Sequence, residues 1–231
     1  MYKISILIPF YNERGNIIRQ LEDLIITIKK NQKCYFHIVL VDDASTDGGC
    51  FEVEKFIKEN DQSMFTLIKH KKNLGKSAAI QSAFEVIKAD FVIFMDGDYQ
   101  DDPKDISIFV EKILSGYQVV IGDQEKNSKL FKKIATYIYK KLLNYFLKIK
   151  LNSPSPQFFA IKFEYIKNIK LEKNDHRYLV IISLYNNAKY IEVDVSYFNR
   201  IYGKSKFSDF KIFGAFFETI NLIYRLKKTK L

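Results

Sequence analysis

The chain has 231 residues, of which 47% are hydrophobic, and a formal net charge of +10. A chain of this length and composition can bury a sizeable core and fits one large α/β domain, or one domain with an appendage. We expect no signal peptide, because Met1 leads directly into a short strand-like segment and then into polar residues 11–13. We expect no transmembrane helix, because no run of about 18 residues is free of charge. Cys34 and Cys50 lack metal-binding or redox spacing and are expected to be reduced thiols.

The charge is divided unevenly along the chain. Residues 1–127 carry 16 Lys and Arg against 20 Asp and Glu, whereas residues 128–231 carry 21 against 7. This asymmetry predicts an acidic half that holds a metal and a basic half that faces an anionic partner. Phosphate, nucleic acid and a membrane surface are the candidate partners.

Five short apolar runs, rich in β-branched residues, predict strands at 4–9, 36–41, 65–68, 91–95 and 118–121. Because the runs are mostly continuous rather than alternating, the strands are expected to be buried on both faces, as in a parallel sheet covered by helices. Helical patterns separate them at about 13–31, 48–60, 75–88 and 103–115. The alternation predicts a doubly wound, Rossmann-like half, in which ligands bind beyond the carboxyl ends of the strands.

From Ser128 the pattern changes. Residues 128–150 combine seven lysines with apolar residues at helical spacing, which predicts a basic amphipathic helix. A proline-containing loop follows at 151–157, then strand-like runs at 158–163 and 190–198. The last predicted element is an aromatic-rich helix at about 208–226, which suits the core, a dimer contact or a membrane face.

An acidic loop follows the fourth predicted strand. Asp96 and Asp98 are two residues apart and can converge on one Mg²⁺ or Mn²⁺ ion, and Gly97 permits close backbone approach. Such an ion completes its shell with substrate phosphate oxygens. The alternative is a solvated acidic turn. Asp101 and Asp102 suit the N-terminus of the helix that follows, where negative charge is favoured.

Other loops at the same predicted edge carry residues suited to a ligand. Asp42 and Asp43 follow the second strand and can accept hydrogen bonds from a ribose or a base. Tyr11 could stack on a base, and Gly75 begins a helix whose backbone N–H groups suit an anion. Lys76 is either a ligand contact or solvated surface.

Five motifs, ILIPFYNE, VDDASTD, NLGKSAAI, FMDGDYQDDP and RIYGKSKF, resemble in order and spacing the family 2 glycosyltransferases of GT-A fold. The resemblance covers about residues 3–207 and is nearest to the polyprenyl-phosphate branch, which includes enzymes like dolichyl-phosphate-mannose synthase. It implies a Rossmann-like GT-A fold with a mainly parallel central sheet flanked by helices, plus C-terminal amphipathic helices. The resemblance implies one continuous catalytic domain with three parts. These are a nucleotide-sugar-binding half (1–127), an acceptor-binding half with the basic helix (128–207) and a C-terminal amphipathic helix with a basic tail (208–231).

Roles for single residues follow from the motifs and this resemblance. The predicted nucleotide-sugar contacts are Pro9, Tyr11, Glu13, Asp42, Asp43, Gly75, Lys76, Asp96, Gly97 and Asp98. The predicted metal ligands are Asp96, Asp98 and Gln100. The predicted acceptor or phosphate contacts are His176, Arg177, Arg200, Lys204 and Ser205. The predicted catalytic residues are Asp96, Asp98, Arg200 and Lys204.

The implied reaction is the inverting transfer of a sugar from a UDP- or GDP-sugar to a polyprenyl phosphate. We expect a peripheral protein on the cytoplasmic face of the membrane, with the 128–150 helix on the anionic surface. An ordinary helix packed on the core is the alternative for that segment. Two other functions stay open: a transferase that extends a lipid-linked glycan or surface polysaccharide at a hydroxyl, and a catalytically idle nucleotide-sugar or membrane-surface binding protein. A homo-oligomer or an integral-membrane partner is compatible with the pattern, and nucleic acid is not expected because no binding motif for it occurs.

Two stretches depart from the family pattern. Gly122-Asp123-Gln124 stands where the family usually ends strand five with an arginine. NSPSPQFF stands where an acidic residue is usual, with Phe159 in the place of an arginine. A hydroxyl acceptor needs a general base, usually a carboxylate, whereas a lipid phosphate is already anionic and attacks without one. The missing acid is therefore compatible with a phosphate acceptor and unfavourable for a hydroxyl acceptor. Unusual donor specificity and weak activity are the alternative explanations.

Overall fold

A computed structural model describes residues 1–123, 130–198, 220–226 and 228. Its strands are β1 (Tyr2–Phe10), β2 (Cys34–Asp42), β3 (Phe65–Lys69), β4 (Phe91–Phe94), β5 (Val119–Asp123), β6 (Phe159–Lys162) and β7 (Tyr190–Asp194). Its α-helices include α1 (Arg14–Lys30), α2 (Gly49–Glu59), α3 (Lys76–Phe84), α4 (Ile106–Leu114), α5 (Leu130–Leu147) and α6 (Leu179–Tyr185). The strands form one sheet in the order β3-β2-β1-β4-β6-β5-β7.

The sheet is mainly parallel, as predicted. Strands β1 to β4 run parallel to one another, and β7 runs parallel to β5. Strand β6 is the exception, because it pairs antiparallel with both β4 and β5. It therefore begins at the edge where its two neighbours end.

Helices cover both faces of the sheet, which explains the continuous apolar strands. Buried residues of α1, α2 and α4, such as Leu24, Val53 and Phe109, pack on one face. Buried residues of α3, α5 and α6, such as Ile80 and Leu143, pack on the other. The arrangement confirms the predicted α/β class with flanking helices.

Several predicted bounds change. The helix expected at 103–115 begins as a 3-10 turn, Pro103–Asp105, before α4, and α3 ends at Phe84. Helix α6 is absent from the sequence prediction. Of the helix expected at 208–226, residues 220–226 are helical, with Leu222 and Ile223 buried, and 208–219 lie outside the described residues. Within the described residues, no helix combines the length and the apolarity needed to span a membrane.

Candidate active site

The acidic loop after β4 lies at the carboxyl edge of the sheet. All four residues of β4 are buried, and the chain then turns through Asp96 and Asp98. A Cβ atom on Gly97 would lie 2.8 Å from Phe10 Cβ and 3.4 Å from the Pro9 carbonyl oxygen. Glycine is therefore required for this loop to pack against the end of β1.

Buried side chains fix the loop from beneath. Gln20, fully buried in α1, donates from Nε2 to the Asp96 carbonyl oxygen at 2.7 Å. Tyr99 has a positive φ of 57°, and its hydroxyl donates to the Asp23 carboxylate. Burial, together with that carboxylate, raises the pKa of Tyr99. These contacts attach the loop to α1.

The four aspartates of the loop have different surroundings. Asp98 is buried and accepts the Gln100 backbone N–H at 3.3 Å. Asp102 accepts the Lys104 backbone N–H at 3.0 Å, which matches its predicted role at a helix start. Asp101 instead is buried and turns back towards Asp96, whose backbone N–H lies 3.5 Å from its Oδ2 atom.

Lys76 contacts the acidic loop directly. Its ammonium forms an ion pair with Asp96 Oδ1, so it does not extend freely into solvent. The lysine is the first residue of α3, and Gly75 before it has a φ of +88°. This turn places Lys76 at the carboxyl end of β4, a contact that the NLGKS motif did not predict.

The carboxylates after β4 suit a hard divalent cation. Among the described residues, no three His, Cys, Asp or Glu side chains group as metal ligands. Asp96 and Asp98 offer two carboxylates, and Mg²⁺ is commonly held by one or two carboxylates with substrate phosphates in the remaining positions. Asp96 already attracts the Lys76 ammonium, so the donor set fits a cation that arrives with a diphosphate.

Gln100 is turned towards a different segment. Its side-chain Nε2 atom donates to the Tyr197 hydroxyl at 2.6 Å. Its backbone carbonyl oxygen accepts the Phe198 backbone N–H at 2.8 Å. The Asp105 carboxylate also accepts the Ser196 backbone N–H at 2.6 Å, and burial raises the pKa of Asp105. These contacts attach residues 196–198 to the acidic loop. The metal-ligand role of Gln100 remains a prediction.

Asp43 organises the loop that carries Lys76. Its carboxylate accepts hydrogen bonds from His70 Nδ1 at 2.7 Å and from the backbone N–H groups of Leu74 and Gly75 at 2.8 Å each. A carboxylate offers about four acceptor positions, so these three bonds leave capacity for one from a ligand. The predicted nucleotide contact therefore also has a structural task.

Asp42 is directed into its own loop. It accepts the Ser45 backbone N–H at 3.0 Å and the thiol of Cys50. Burial, followed by the charge of Asp42, raises the pKa of Cys50 to about 12, so this thiol stays protonated. No role was predicted for Cys50. It lies beside Asp42 because it stands in the first turn of α2, directly after the loop that Asp42 begins.

The loops after β1 and β2 are joined to each other. Asn12 has a φ of 57°, accepts the Thr46 backbone N–H at 2.8 Å and donates its own to Ser45 Oγ at 2.9 Å. Asp47 accepts the backbone N–H groups of Arg14 and Gly49, at the starts of α1 and α2. The half-buried residues Pro9, Tyr11 and Glu13 therefore stand on a fixed backbone.

Glu13 serves the start of α1. Its carboxylate accepts a hydrogen bond from Asn16 Nδ2 at 2.7 Å, and its carbonyl oxygen accepts the backbone N–H groups of Asn16 and Ile17. The predicted nucleotide contact of Glu13 remains a prediction.

His176 reaches the site through α3. Its Nδ1 atom lies 2.9 Å from the hydroxyl of Ser77, which follows Lys76 in the chain. Burial, followed by the charges of Lys76 and Arg177, lowers the pKa of His176 to about 3. A neutral imidazole can bind a phosphate through a hydrogen bond, but it supplies no positive charge at neutral pH.

Asp175 and Arg225 form an ion pair that the sequence analysis missed. The two terminal nitrogens of Arg225 donate to the two oxygens of the buried Asp175, at 3.0 and 2.7 Å. The pair attaches helical residues 220–226 to the segment that carries His176 and Arg177. The predicted contacts Arg200, Lys204 and Ser205 lie outside the described residues.

The strands and loops that carry this site match a known family. A model of glycosyl transferase family 2 matches residues 5–170, which include both acidic loops, most of β1 and all of strands β2 to β6. The chain belongs to glycosyltransferase family 2.

Relatives of this family 2 glycosyltransferase fall in the predicted branch. The undecaprenyl-phosphate 4-deoxy-4-formamido-L-arabinose transferase of Proteus mirabilis is 29% identical over 230 residues, which cover 97% of this chain and 66% of the relative. The dodecaprenyl-phosphate galacturonate synthase of Rhizobium johnstonii is 22% identical over 230 residues, with 97% and 68% covered. The resemblance to polyprenyl-phosphate sugar transferases is confirmed. The chain spans about two thirds of the length of these relatives.

A solved structure shows the same fold. Glucosyl-3-phosphoglycerate synthase from Mycobacterium tuberculosis, crystallised with Mn²⁺, UDP and glucosyl-3-phosphoglycerate, superimposes with a TM-score of 0.62. The match is 17% identical and covers 86% of this chain and 73% of the synthase. It supports the GT-A fold of this family 2 glycosyltransferase.

Proposed function

We propose that this family 2 glycosyltransferase moves a sugar from a UDP- or GDP-sugar to a polyprenyl phosphate with inversion at the anomeric carbon. The observation that carries the proposal is the meeting of three loops at one sheet edge. Asp96 and Asp98 follow β4, and Lys76 pairs with Asp96. Asp43 binds the backbone of the loop that leads into Lys76. Both relatives named above are polyprenyl-phosphate sugar transferases, although the sugars in their names differ.

We assign the donor to these loops. Asp43 would accept one hydrogen bond from the nucleoside, and Tyr11 would stack on the base. Lys76 stands beside Asp96, where its ammonium would meet the diphosphate once a cation takes over the carboxylate. Asp96 and Asp98 would hold Mg²⁺ or Mn²⁺, which supplies Lewis-acid neutralisation of the charge on the departing diphosphate.

The transfer itself is a single displacement. A phosphate oxygen of the acceptor forms the new bond to the anomeric carbon on the face opposite the diphosphate, whose bond to that carbon breaks. The nucleoside diphosphate leaves with the bonding electrons. The acceptor is anionic at neutral pH, so no side chain has to remove a proton from it.

The acceptor side is proposed to be basic. Phe198, two residues before Arg200 in the sequence, is hydrogen-bonded to Gln100 in the loop that carries Asp98. We assign Arg200, Lys204 and Ser205, with Arg177, to the phosphates of donor or acceptor. His176 would add a hydrogen bond as a neutral ring.

Helix α5 supplies a candidate membrane surface. Tyr137, Tyr145 and Phe146 are exposed, and the Lys141 ammonium lies 5.2 Å from the centre of the Tyr137 ring. Leu143 and Leu147 on the opposite side are buried in the core. Exposed aromatic rings beside lysines suit the interface of an anionic leaflet. We therefore propose peripheral binding at the cytoplasmic face of the membrane.

Purified protein incubated with UDP- and GDP-sugars, Mn²⁺ or Mg²⁺ and undecaprenyl phosphate tests the proposal. We expect a lipid-linked sugar whose anomeric configuration is opposite to that of the donor, and none without the metal. Transfer only to a glycan hydroxyl would favour the polysaccharide-extending alternative. Nucleotide binding without turnover on any acceptor would favour an idle binding protein.

The same protein mixed with vesicles tests the membrane surface. We expect binding to phosphatidylglycerol vesicles, weak binding to phosphatidylcholine vesicles, and release at high salt because added ions screen surface charge. Equal binding to both lipids would contradict an electrostatic contribution from α5.

A further inference from the structure

The two stretches that depart from the family pattern touch each other. Asp123 is the last residue of β5, and its Oδ1 atom accepts the hydroxyl proton of Ser153 at 2.9 Å. Ser153 is buried in the loop 151–157, and its backbone N–H donates to the Glu192 carboxylate at 2.8 Å. The end of β5 and the loop 151–157, which are the two departures from the family pattern, are therefore joined by a hydrogen bond.

Asp123 stands on a rigid part of the sheet. Its neighbour Gly122 donates its backbone N–H to the Phe158 carbonyl oxygen at 2.9 Å. A Cβ atom on Gly122 would lie 2.9 Å from both that oxygen and Val195 Cγ2. A side chain held on a packed strand end and by a buried hydroxyl is well suited to recognise a ligand at a fixed position.

The sheet register relates Asp123 to the acidic loop. Phe94 of β4 and Ile121 of β5 both pair with Phe159 of β6, and all three side chains lie in the same core cluster. Asp123 ends β5, and Asp96 lies in the loop that follows the end of β4. Because β4 and β5 run in the same direction with β6 between them, both residues lie at the carboxyl edge of the sheet, where the two strand ends are two strand spacings or roughly 10 Å apart.

That separation leaves room for a sugar ring between the two carboxylates. The diphosphate of the donor is assigned to Asp96, and a sugar attached to it could extend along the sheet edge as far as Asp123. The half-buried Asp123 would face the sugar hydroxyls furthest from the diphosphate. A carboxylate accepts hydrogen bonds strongly and repels phosphate, so it suits O–H or N–H groups at this position.

We propose that Asp123, oriented by Ser153, selects the transferred sugar by accepting hydrogen bonds from its hydroxyl or nitrogen-bound protons. The inference rests on the proposed function, because it places the donor diphosphate at Asp96. It adds a specificity residue that no family motif contributes.

Calorimetric titration of the full chain with Mn²⁺ and UDP, GDP, UDP-glucose, UDP-N-acetylglucosamine or GDP-mannose tests this assignment. We expect Asp123→Asn to weaken the preferred nucleotide sugar about 10- to 100-fold, because a charge-assisted hydrogen bond is lost, and to leave the nucleoside diphosphate unchanged. Ser153→Ala should weaken the same nucleotide sugar less. Asp61→Asn, at an exposed 3-10 turn, is the matched control and should change neither ligand.

Different results separate the possible failures. Equal affinity of wild type and Asp123→Asn for every nucleotide sugar would overturn the inference. Unchanged nucleotide-sugar affinity with lost turnover would also overturn it and would make Asp123 a general base for a hydroxyl acceptor. If neither UDP nor GDP binds to the wild type, the proposed function is refuted instead. Asp123→Glu, which keeps the charge but lengthens the side chain, separates the loss of recognition from a loss of folding.

Discussion

Asp43 and Asp96 contact the segment 70–76, which lies 20 to 32 positions away in the chain, whereas His176 and Asp175 contact residues 99 and 50 positions away. In the first half, each acidic side chain is bound to backbone N–H groups or to a lysine of the adjoining loop. In the second half, the polar groups are positioned by contacts between separate segments. Changes to the first half should therefore act on the donor, and changes to the second half on stability and on the acceptor.

The largest effect should come from the acidic loop. Asp96→Asn removes the charge that pairs with Lys76 and that would hold the cation, so we expect turnover to fall by at least about 100-fold. Initial rates of lipid-linked sugar formation measure the change, and Asp61→Asn should retain the wild-type rate. A variant with more than about a tenth of the wild-type rate would refute the metal assignment.

Asp43→Asn should weaken both the fold and the donor site. The amide keeps one oxygen acceptor but places an NH₂ group against N–H donors, so we expect a loss of about 1–3 kcal/mol in the free energy of unfolding. Urea denaturation measures it. Nucleoside diphosphate affinity should fall as well, because the 70–75 loop is no longer fixed. A loss of stability with unchanged nucleotide affinity would confine Asp43 to a structural role.

Arg225→Met should lower the stability of the protein without changing the donor site. The buried Asp175 loses both guanidinium hydrogen bonds, and the partly exposed position of Arg225 limits the expected loss to about 1–2 kcal/mol of unfolding free energy. Lys228→Met removes an exposed charge three residues later and serves as the control. Nucleoside diphosphate affinity should stay at the wild-type value, and a parallel loss would show that the two halves are coupled.

The smallest effect at neutral pH is expected at His176, and it should grow in acid. Its pKa is about 3 in the folded chain and near 6.5 when unfolded, so only the unfolded chain binds the proton between these values. Stability should therefore fall as the pH drops below about 6.5, by up to about 1.4 kcal/mol per pH unit from this group.

His176→Gln removes the titrating ring and provides the control for that pH dependence. Unfolding free energies of both proteins between pH 4 and 7 give a difference curve. We expect the wild type to lose more stability than the variant as the pH falls. Parallel curves would show that His176 is not buried as a neutral ring.

The first half of the site was predictable because its signals are local. Strands β1 to β5 and the loops that carry Asp43 and Asp96 follow directly from apolar runs and the acidic residues after them. Tertiary pairing gave no such signal: the antiparallel β6 between β4 and β5 is fixed by contacts across the sheet. Helix α6 is apolar along its buried length except for Ser183, so periodicity does not separate it from a strand.

The contacts that position the site were the least predictable. Gln20 beneath Asp96, Ser77 beside His176 and Ser153 beside Asp123 each join segments at least 30 residues apart. Single polar residues of these types occur on most helices and loops, so their spacing carries no information about a partner. The function of a motif could be inferred from its sequence, but the residues that support it could be identified only from the folded structure.

The cation site can be tested by measuring how UDP and GDP bind, with and without Mn²⁺, to the wild type and to Asp98→Asn. We expect Mn²⁺ to increase the affinity of one nucleoside diphosphate for the wild type at least about tenfold, and this increase to disappear in Asp98→Asn. Nucleotide affinity that is independent of Mn²⁺, or a metal effect that survives in Asp98→Asn, would contradict a diphosphate-linked cation site at the end of β4.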